Sequence, residues 1–181
     1  FIYFSFLLTI IIIPQKVHGF VLLMHNYLLN GKIRVVRRMI DNNLRCCREE
    51  LGMTQQELGA MLNTSKQMVS NWETGLNPIP INKLVEFCNL FDYSLDYVCG
   101  LTNKNTRYNN PIKLDSKVIG NNLKRLRKKL NLTQKELSDK CNFYRSTYNH
   151  YETGYSLIKI LPAYAICKTY KVSMDWLIGR K

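Results

Sequence analysis

The sequence predicts an all-α protein built from two tandem five-helix domains joined by a flexible linker, and three observations carry that prediction. The chain repeats itself: residues 40–100 align with residues 119–179 at a single offset of 79, without a gap, and 20 of the 61 positions are identical. Apolar residues recur at helical rather than strand spacing. The same start and stop signals punctuate both halves, which places the first domain at 39–101, a linker at 102–116 and the second domain at 117–180. Matched pairs include Asn42/Asn121, Asn43/Asn122, Leu44/Leu123, Arg48/Arg127, Glu73/Glu152, Gly75/Gly154 and Asp96/Asp175, so duplication of one domain is the simplest account.

Residues 1–38 precede the repeat. They hold two apolar runs, 1–13 ended by Pro14 and 20–29 broken by His25 and Asn26. Neither reaches the roughly 20 residues a helix needs to cross a bilayer. Upstream sequence translated ahead of a start at Met39 fits this segment best; the rival is a truncated anchor with Lys32, Arg34, Arg37 and Arg38 on the cytoplasmic side. Membrane association is not expected.

Within each copy five short helices are expected. Ile119, Leu123, Leu126 and Leu130 form the inward stripe of helix 1 in the second copy, with Lys124, Arg125, Lys128 and Lys129 off that stripe. Thr54-x-x-Glu57 and Thr133-x-x-Glu136 are capping boxes that open helix 2. Asn63 and Asn142 follow it, and asparagine tolerates the left-handed backbone needed to reverse the chain. Helix 3 is expected over 65–74 and 144–153, stopped by Gly75 and Gly154. Helices near 80–91 and 94–99, and near 158–170 and 173–178, close each core. Residues 101–116, rich in Asn, read as a tether with an r.m.s. span of about 22 Å and a reach of about 50 Å.

Charge separates the copies. The chain carries a formal net charge of +13, which favours a polyanionic partner. Residues 39–104 hold five cations against eight anions, a net −3, whereas 105–181 hold sixteen against five, a net +11. The six cysteines form no C-x-x-C pair and the three histidines are scattered, so neither a metal site nor a disulfide framework is read; the cysteines suit core positions in a reducing cytosol.

The stretches Thr54-Gln55-Gln56-Glu57-Leu58 through Asn71-Trp72-Glu73-Thr74-Gly75, and Thr133-Gln134-Lys135-Glu136-Leu137 through His150-Tyr151-Glu152-Thr153-Gly154, resemble the Cro/CI-type (XRE, lambda-repressor-like) helix-turn-helix family. The tails Ser94-Leu95-Asp96-Tyr97 and Ser173-Met174-Asp175-Trp176 do so too. The resemblance implies a five-helix domain whose third helix enters the major groove of DNA. It also implies that Gln55 and Gln134 meet the DNA backbone, and that Arg48 with Glu73 and Arg127 with Glu152 are structural ion pairs. Asn63 and Asn142 stand where the family usually has glycine, and Tyr144 lacks the capping power of Ser65.

Helical phase sets the expected reading face. Val69 and Trp72 point inward, leaving Lys66, Gln67, Ser70 and Asn71 outward; Tyr148 and Tyr151 point inward, leaving Arg145, Ser146, Asn149 and His150 outward. With Ser65 and Tyr144 at the helix starts, these form the expected base-contacting set, since Gln and Asn pair with adenine and Arg or Lys with guanine. Lys124 and Lys128 are expected on the DNA backbone beside Gln55 and Gln134.

The function expected is a sequence-specific, cytoplasmic, nucleoid-associated transcriptional regulator of double-stranded DNA, a repressor, with no cofactor, no metal and no enzymatic activity. Two unlike half-sites are expected instead of a palindrome. The alternative is an antitoxin or immunity-type module whose acidic first domain holds a protein partner or a second copy of the chain. No nucleophile-base constellation or phosphate-cradling glycine loop supports catalysis.

Overall fold

The computed structural model describes residues 24–29, 32–37, 40–108 and 110–180. Ten helices follow one another in two sets of five: α1 Leu44–Glu50, α2 Gln55–Met61, α3 Lys66–Glu73, α4 Ile81–Phe91 and α5 Leu95–Val98, then α6 Ser116–Lys129, α7 Gln134–Lys140, α8 Arg145–Glu152, α9 Ile160–Tyr170 and α10 Met174–Ile178. Ahead of them β1 (Met24–Leu29) pairs antiparallel with β2 (Lys32–Arg37), from Met24 opposite Arg37 to Leu29 opposite Lys32.

The first strand of this hairpin lies within the broken apolar run 20–29, for which the sequence reading named no element. The pair between the strands is Asn30-Gly31, a strong hairpin signal, and Ile33, Val35 and Val36 favour extended backbone. The run 1–13 lies outside the described residues. Among those described, no helix is long and apolar enough to cross a membrane.

Each copy builds its core from the expected stripes. Leu44, Leu58, Leu62, Val69 and Leu84 are fully buried in the first, and Ile119, Leu123, Leu137, Tyr148 and Ala163 nearly or fully so in the second. Each fully buried leucine contributes roughly 1.5–3 kcal/mol. Buried side chains of both copies belong to one continuous apolar cluster. The left-handed turns fall at Asn63 and Asn142 as expected, and also at Asp92 and Lys171, which end α4 and α9.

The two copies meet through α5 and α10. Asp175 accepts the amides of Leu95 and Asp96 at 3.2 and 3.1 Å, while Asp96 accepts the amide of Met174 at 2.6 Å. Leu95 and Met174 are equivalent positions, as are Asp96 and Asp175, so each short helix has first-turn amides capped by its counterpart's carboxylate. Such reciprocity is the signature of a twofold interface, here closed within one chain. A cleft of about 440 Å³ between Pro78, Pro80 and Ile81 on one side and Leu157, Ile160 and Pro162 on the other spans the same joint.

The expected free tether is replaced by a strap. Asn89 donates to the carbonyl of Ile112 at 2.8 Å and accepts its amide at 3.0 Å, Asn105 accepts the amide of Ser94 at 2.8 Å, and Asp92 accepts that of Tyr108 at 3.0 Å. Asparagine, which by composition suits a loose linker, here supplies the side-chain amides that pin the segment to the first copy. The ordered second copy also starts earlier than 117: α6 begins at Ser116, its N-terminus capped by Asp115.

Candidate nucleic-acid interface

The α2-turn-α3 and α7-turn-α8 units are assembled from local signals. Thr54 accepts the amide of Glu57 at 3.2 Å while the Glu57 carboxylate accepts that of Thr54 at 2.7 Å, and Thr133 with Glu136 repeats both distances. Those hydrogen bonds hold both glutamates below the usual carboxylate range. At the first elbow the chain passes so close that a Cβ on Gly59 would lie 2.9 Å from the Thr64 carbonyl oxygen. Its equivalent, Ser138, is buried and turns its hydroxyl back onto the carbonyl of Lys135 at 2.9 Å.

An arginine-glutamate pair then locks helix to helix. Arg48 donates through Nε and Nη2 to both oxygens of Glu73, at 2.5 and 3.1 Å, and through Nη1 to the carbonyl of Met53. Arg127 holds Glu152 in the same two-pronged way, at 2.7 Å on each oxygen, and Nη1 reaches Leu132. Hydrogen bonding to the glutamates raises both guanidinium pKa values. Burial pushes the Glu152 carboxyl upward, but hydrogen bonds, first of all from Arg127 and also from Gln134, outweigh it and leave it lowered. These two-pronged pairs fix the tilt of α3 and α8 against α1 and α6.

With that tilt set, the outer faces differ. On α3, Ser65 caps the amide of Met68, Val69 and Trp72 are buried, and Lys66 and Gln67 are exposed. Ser70 and Asn71 are half-buried, and Gln67 donates to Asn71 at 3.0 Å. On α8, Tyr148 and Tyr151 are buried and the Tyr148 hydroxyl donates to the carbonyl of Leu123. Arg145, Ser146, Asn149 and His150 are all exposed, and Tyr144, 83% exposed, makes no cap.

Gln55 and Gln134 are less free than the sequence suggests. Gln55 donates to Glu73 at 2.9 Å; Gln134 shares its amide between Glu152 and Asn149, both at 3.3 Å. Each terminal amide therefore ties the start of one helix to the next. Lys124 and Lys128 are exposed on α6.

Sequence reasoning missed three features. Tyr155, 81% exposed, packs its ring 5.0 Å from that of His150, and only its place just past Gly154 hinted at it. Asp96 and Asp175 stood in the sequence only as a matched pair, with nothing to show that each meets the other copy. Arg180 gave no signal at all, because the carbonyls it donates to, those of Tyr93 and Cys88, lie in the other copy. Among the described residues, no group of His, Cys, Asp and Glu is arranged to hold a metal ion.

Comparison with known proteins agrees with the repeat. A family model described as helix-turn-helix matches twice, over residues 44–98 and 123–177. The two matched segments are offset by the same 79 positions as the internal alignment and run from α1 to the end of α5 and from within α6 into α10. No curated protein and no solved structure matches the chain.

Proposed function

The chain belongs to the helix-turn-helix family, represented twice along its length, and from that premise we propose that it is a transcriptional regulator, a repressor, that reads double-stranded DNA sequence with α3 and α8 in the major groove. The observation that carries this reading is the pair of outward polar rows, fully exposed on α8 and partly so on α3, on helices whose opposite faces are buried. Ser65, Lys66, Gln67, Ser70 and Asn71 face one half-site; Tyr144, Arg145, Ser146, Asn149 and His150 face the other. Arg145 suits a guanine, and Asn71 and Asn149 suit adenines. Gln55, Gln134, Lys124 and Lys128 contact phosphates, Gln55 through the amide hydrogen that its bond to Glu73 leaves over and Gln134 by giving up its 3.3 Å bond to Asn149.

Because the two rows share no residue type at equivalent positions, the preferred site has unlike halves. Selection from random duplexes by the full chain tests this. An asymmetric site whose halves respond separately to alanine substitution of the two rows is expected. Recovery of a strict palindrome, or duplex association that survives loss of both rows, overturns it.

A second reading, a protein partner held by the first copy, is favoured by its net −3 charge and by exposed Met61, Leu76 and Leu90. Salt-insensitive co-purification of a protein that the isolated acidic surface captures, with duplex binding confined to the second copy, would favour this reading over two-headed DNA binding.

A further inference from the structure

We propose that Arg180, acting with the reciprocal aspartates Asp96 and Asp175, is a positioning residue that fixes the separation of the two reading helices, so that the joint between the copies selects half-site spacing. The inference rests on the reading of the chain as a two-headed DNA binder.

Arg180 leaves the end of the second copy and enters the first. Its side chain is 2% exposed and lies 3.6 Å from the fully buried Asp175 carboxylate. Nη1 donates to the carbonyl of Tyr93 at 3.0 Å, and Nη2 makes longer contacts with the carbonyl of Cys88 and the Oδ1 of Asn89, at 3.5 and 3.4 Å. The Tyr108 ring of the strap covers the guanidinium at 5.0 Å. Asn89, which receives Arg180, is the same residue that pins Ile112. Linker, first copy and chain end thus converge on one guanidinium.

The latch is one-sided. Leu101 stands at the position equivalent to Arg180, and around it Asp96, Tyr164, Cys167, Lys171 and Ser173 line an open cleft of about 470 Å³. That cleft is the twofold counterpart of the volume Arg180 fills, since Cys167 corresponds to Cys88. A symmetric pair of domains has no reason to differ here; a joint that must hold one geometry needs one lock. What ties Arg180 to the first copy is its donation to the carbonyls of Tyr93 and Cys88 and to Asn89; parting the copies would strip a buried guanidinium of those acceptors, which is costly, so the joint resists opening.

A rigid joint has a consequence that a free tether lacks. Each base pair added between half-sites turns the second groove by about 35° around the duplex axis, given 10–10.5 base pairs per turn. A tether of the expected length would absorb that rotation, whereas a locked joint does not.

The test uses the full chain and the variant Asp175→Asn/Arg180→Met, which removes one charge of each sign and leaves the electrostatic attraction to DNA unchanged. The probe is the duplex recovered by selection, with its spacer lengthened or shortened by one or two base pairs. The unmutated chain is expected to lose affinity on the order of tenfold or more as the spacer departs from its optimum, and the variant to lose less than about threefold. Equal profiles for the two proteins, or indifference to spacing in the unmutated chain, overturn the proposal. Absence of salt-dependent duplex binding, seen before any spacer is varied, is the separate failure of the DNA-binding reading and takes the proposal with it. A measurement without the variant stands beside these: spin labels at Gln56→Cys and Lys135→Cys, with Cys46→Ser, should give one narrow distance distribution, and a spread of tens of ångströms overturns the proposal.

Discussion

The first and second copies share an interior and part at the surface, most sharply in their opening helices. Where α6 carries Lys124, Arg125, Lys128 and Lys129, α1 carries Arg45, Cys46, Glu49 and Glu50. Arg45 is spent on Glu49 at 2.8 Å, and Glu50 accepts the hydroxyl of Tyr93 at 2.7 Å. One helix is left neutral and engaged with its own domain, the other strongly basic and open to solvent. Inward positions are held by packing and by the arginine-glutamate pair, which a duplicated domain cannot lose; outward positions carry no such constraint and can take opposite charge. Because cations on phosphates set non-specific affinity, the proposed function carries the expectation that the second copy supplies most of the attraction for DNA.

The largest expected effect probes what the copies share. Glu73 is 2% exposed and its partner Arg48 9%, against 5% and 17% for Glu152 and Arg127. Removing one partner of a buried pair costs about 3–5 kcal/mol. Urea unfolding should therefore place Glu73→Ala toward the upper end and Glu152→Ala toward the lower; the reverse order breaks the argument that the first pair is the more deeply committed.

Next comes readout. Arg145→Ala should weaken binding by about 1–3 kcal/mol and relax one base position, with Lys66→Ala losing less because its copy contributes less affinity. Fluorescence anisotropy on single-base variants of the site would separate the two, and a larger loss for Lys66→Ala would reverse the assignment.

Smaller again is the cap that only one copy has. The Ser65 hydroxyl accepts the amide of Met68, while the Tyr144 side chain caps no amide. Tyr144→Ser should stabilise the second copy by about 1 kcal/mol and Ser65→Ala should destabilise the first by a similar amount. Thermal melts that show no gain for Tyr144→Ser would mean another group already satisfies the start of α8.

The pH dependence sets two carboxyls against one another, over windows that overlap only on the acid side of about 4.5. Burial pushes Asp175 up to about 6, only partly offset by the amides of Asp96 and Leu95. Its protonation favours the folded chain, so stability from this group grows as pH falls through about 6 and is complete below its ordinary value of 3.8. Glu152, held low, acts in the other sense: its contribution is present above its ordinary value of 4.5 and is lost as pH falls through its folded value. Urea midpoints should show a weak maximum on the acid side of neutrality, and Asp175→Asn should remove the rise that leads to it. A rise that persists in that variant assigns it to another group.

Much of this was readable along the chain. Thr54 and Glu57 meet three residues apart, Asn63 reverses the chain where it stands, and Tyr148 and Tyr151 take the inward side that a 3.6-residue period gives them. The outward rows of α3 and α8 followed from the same period. Tyr155 was not legible because it meets His150 only once the loop after α8 has folded back. The hairpin has its own sequence signal, the Asn30-Gly31 pair between two short runs, but it lies in a segment whose apolar character masks the alternation that marks a strand.

By itself, then, the sequence determined the duplication, five helices in each copy, the two capping boxes, and the inward and outward faces of α3 and α8, since helix and local cap hydrogen bonds reach only a few residues along the chain. Tertiary structure alone decided that the linker is a strap, that Asp96 and Asp175 cap each other's helices from 78 to 80 residues away, and that Arg180 donates to a carbonyl 87 residues behind it. Those contacts exist only after two finished domains pack. Nothing in a residue's neighbours specifies which distant amide or carbonyl it will meet; the shapes of the packed surfaces do.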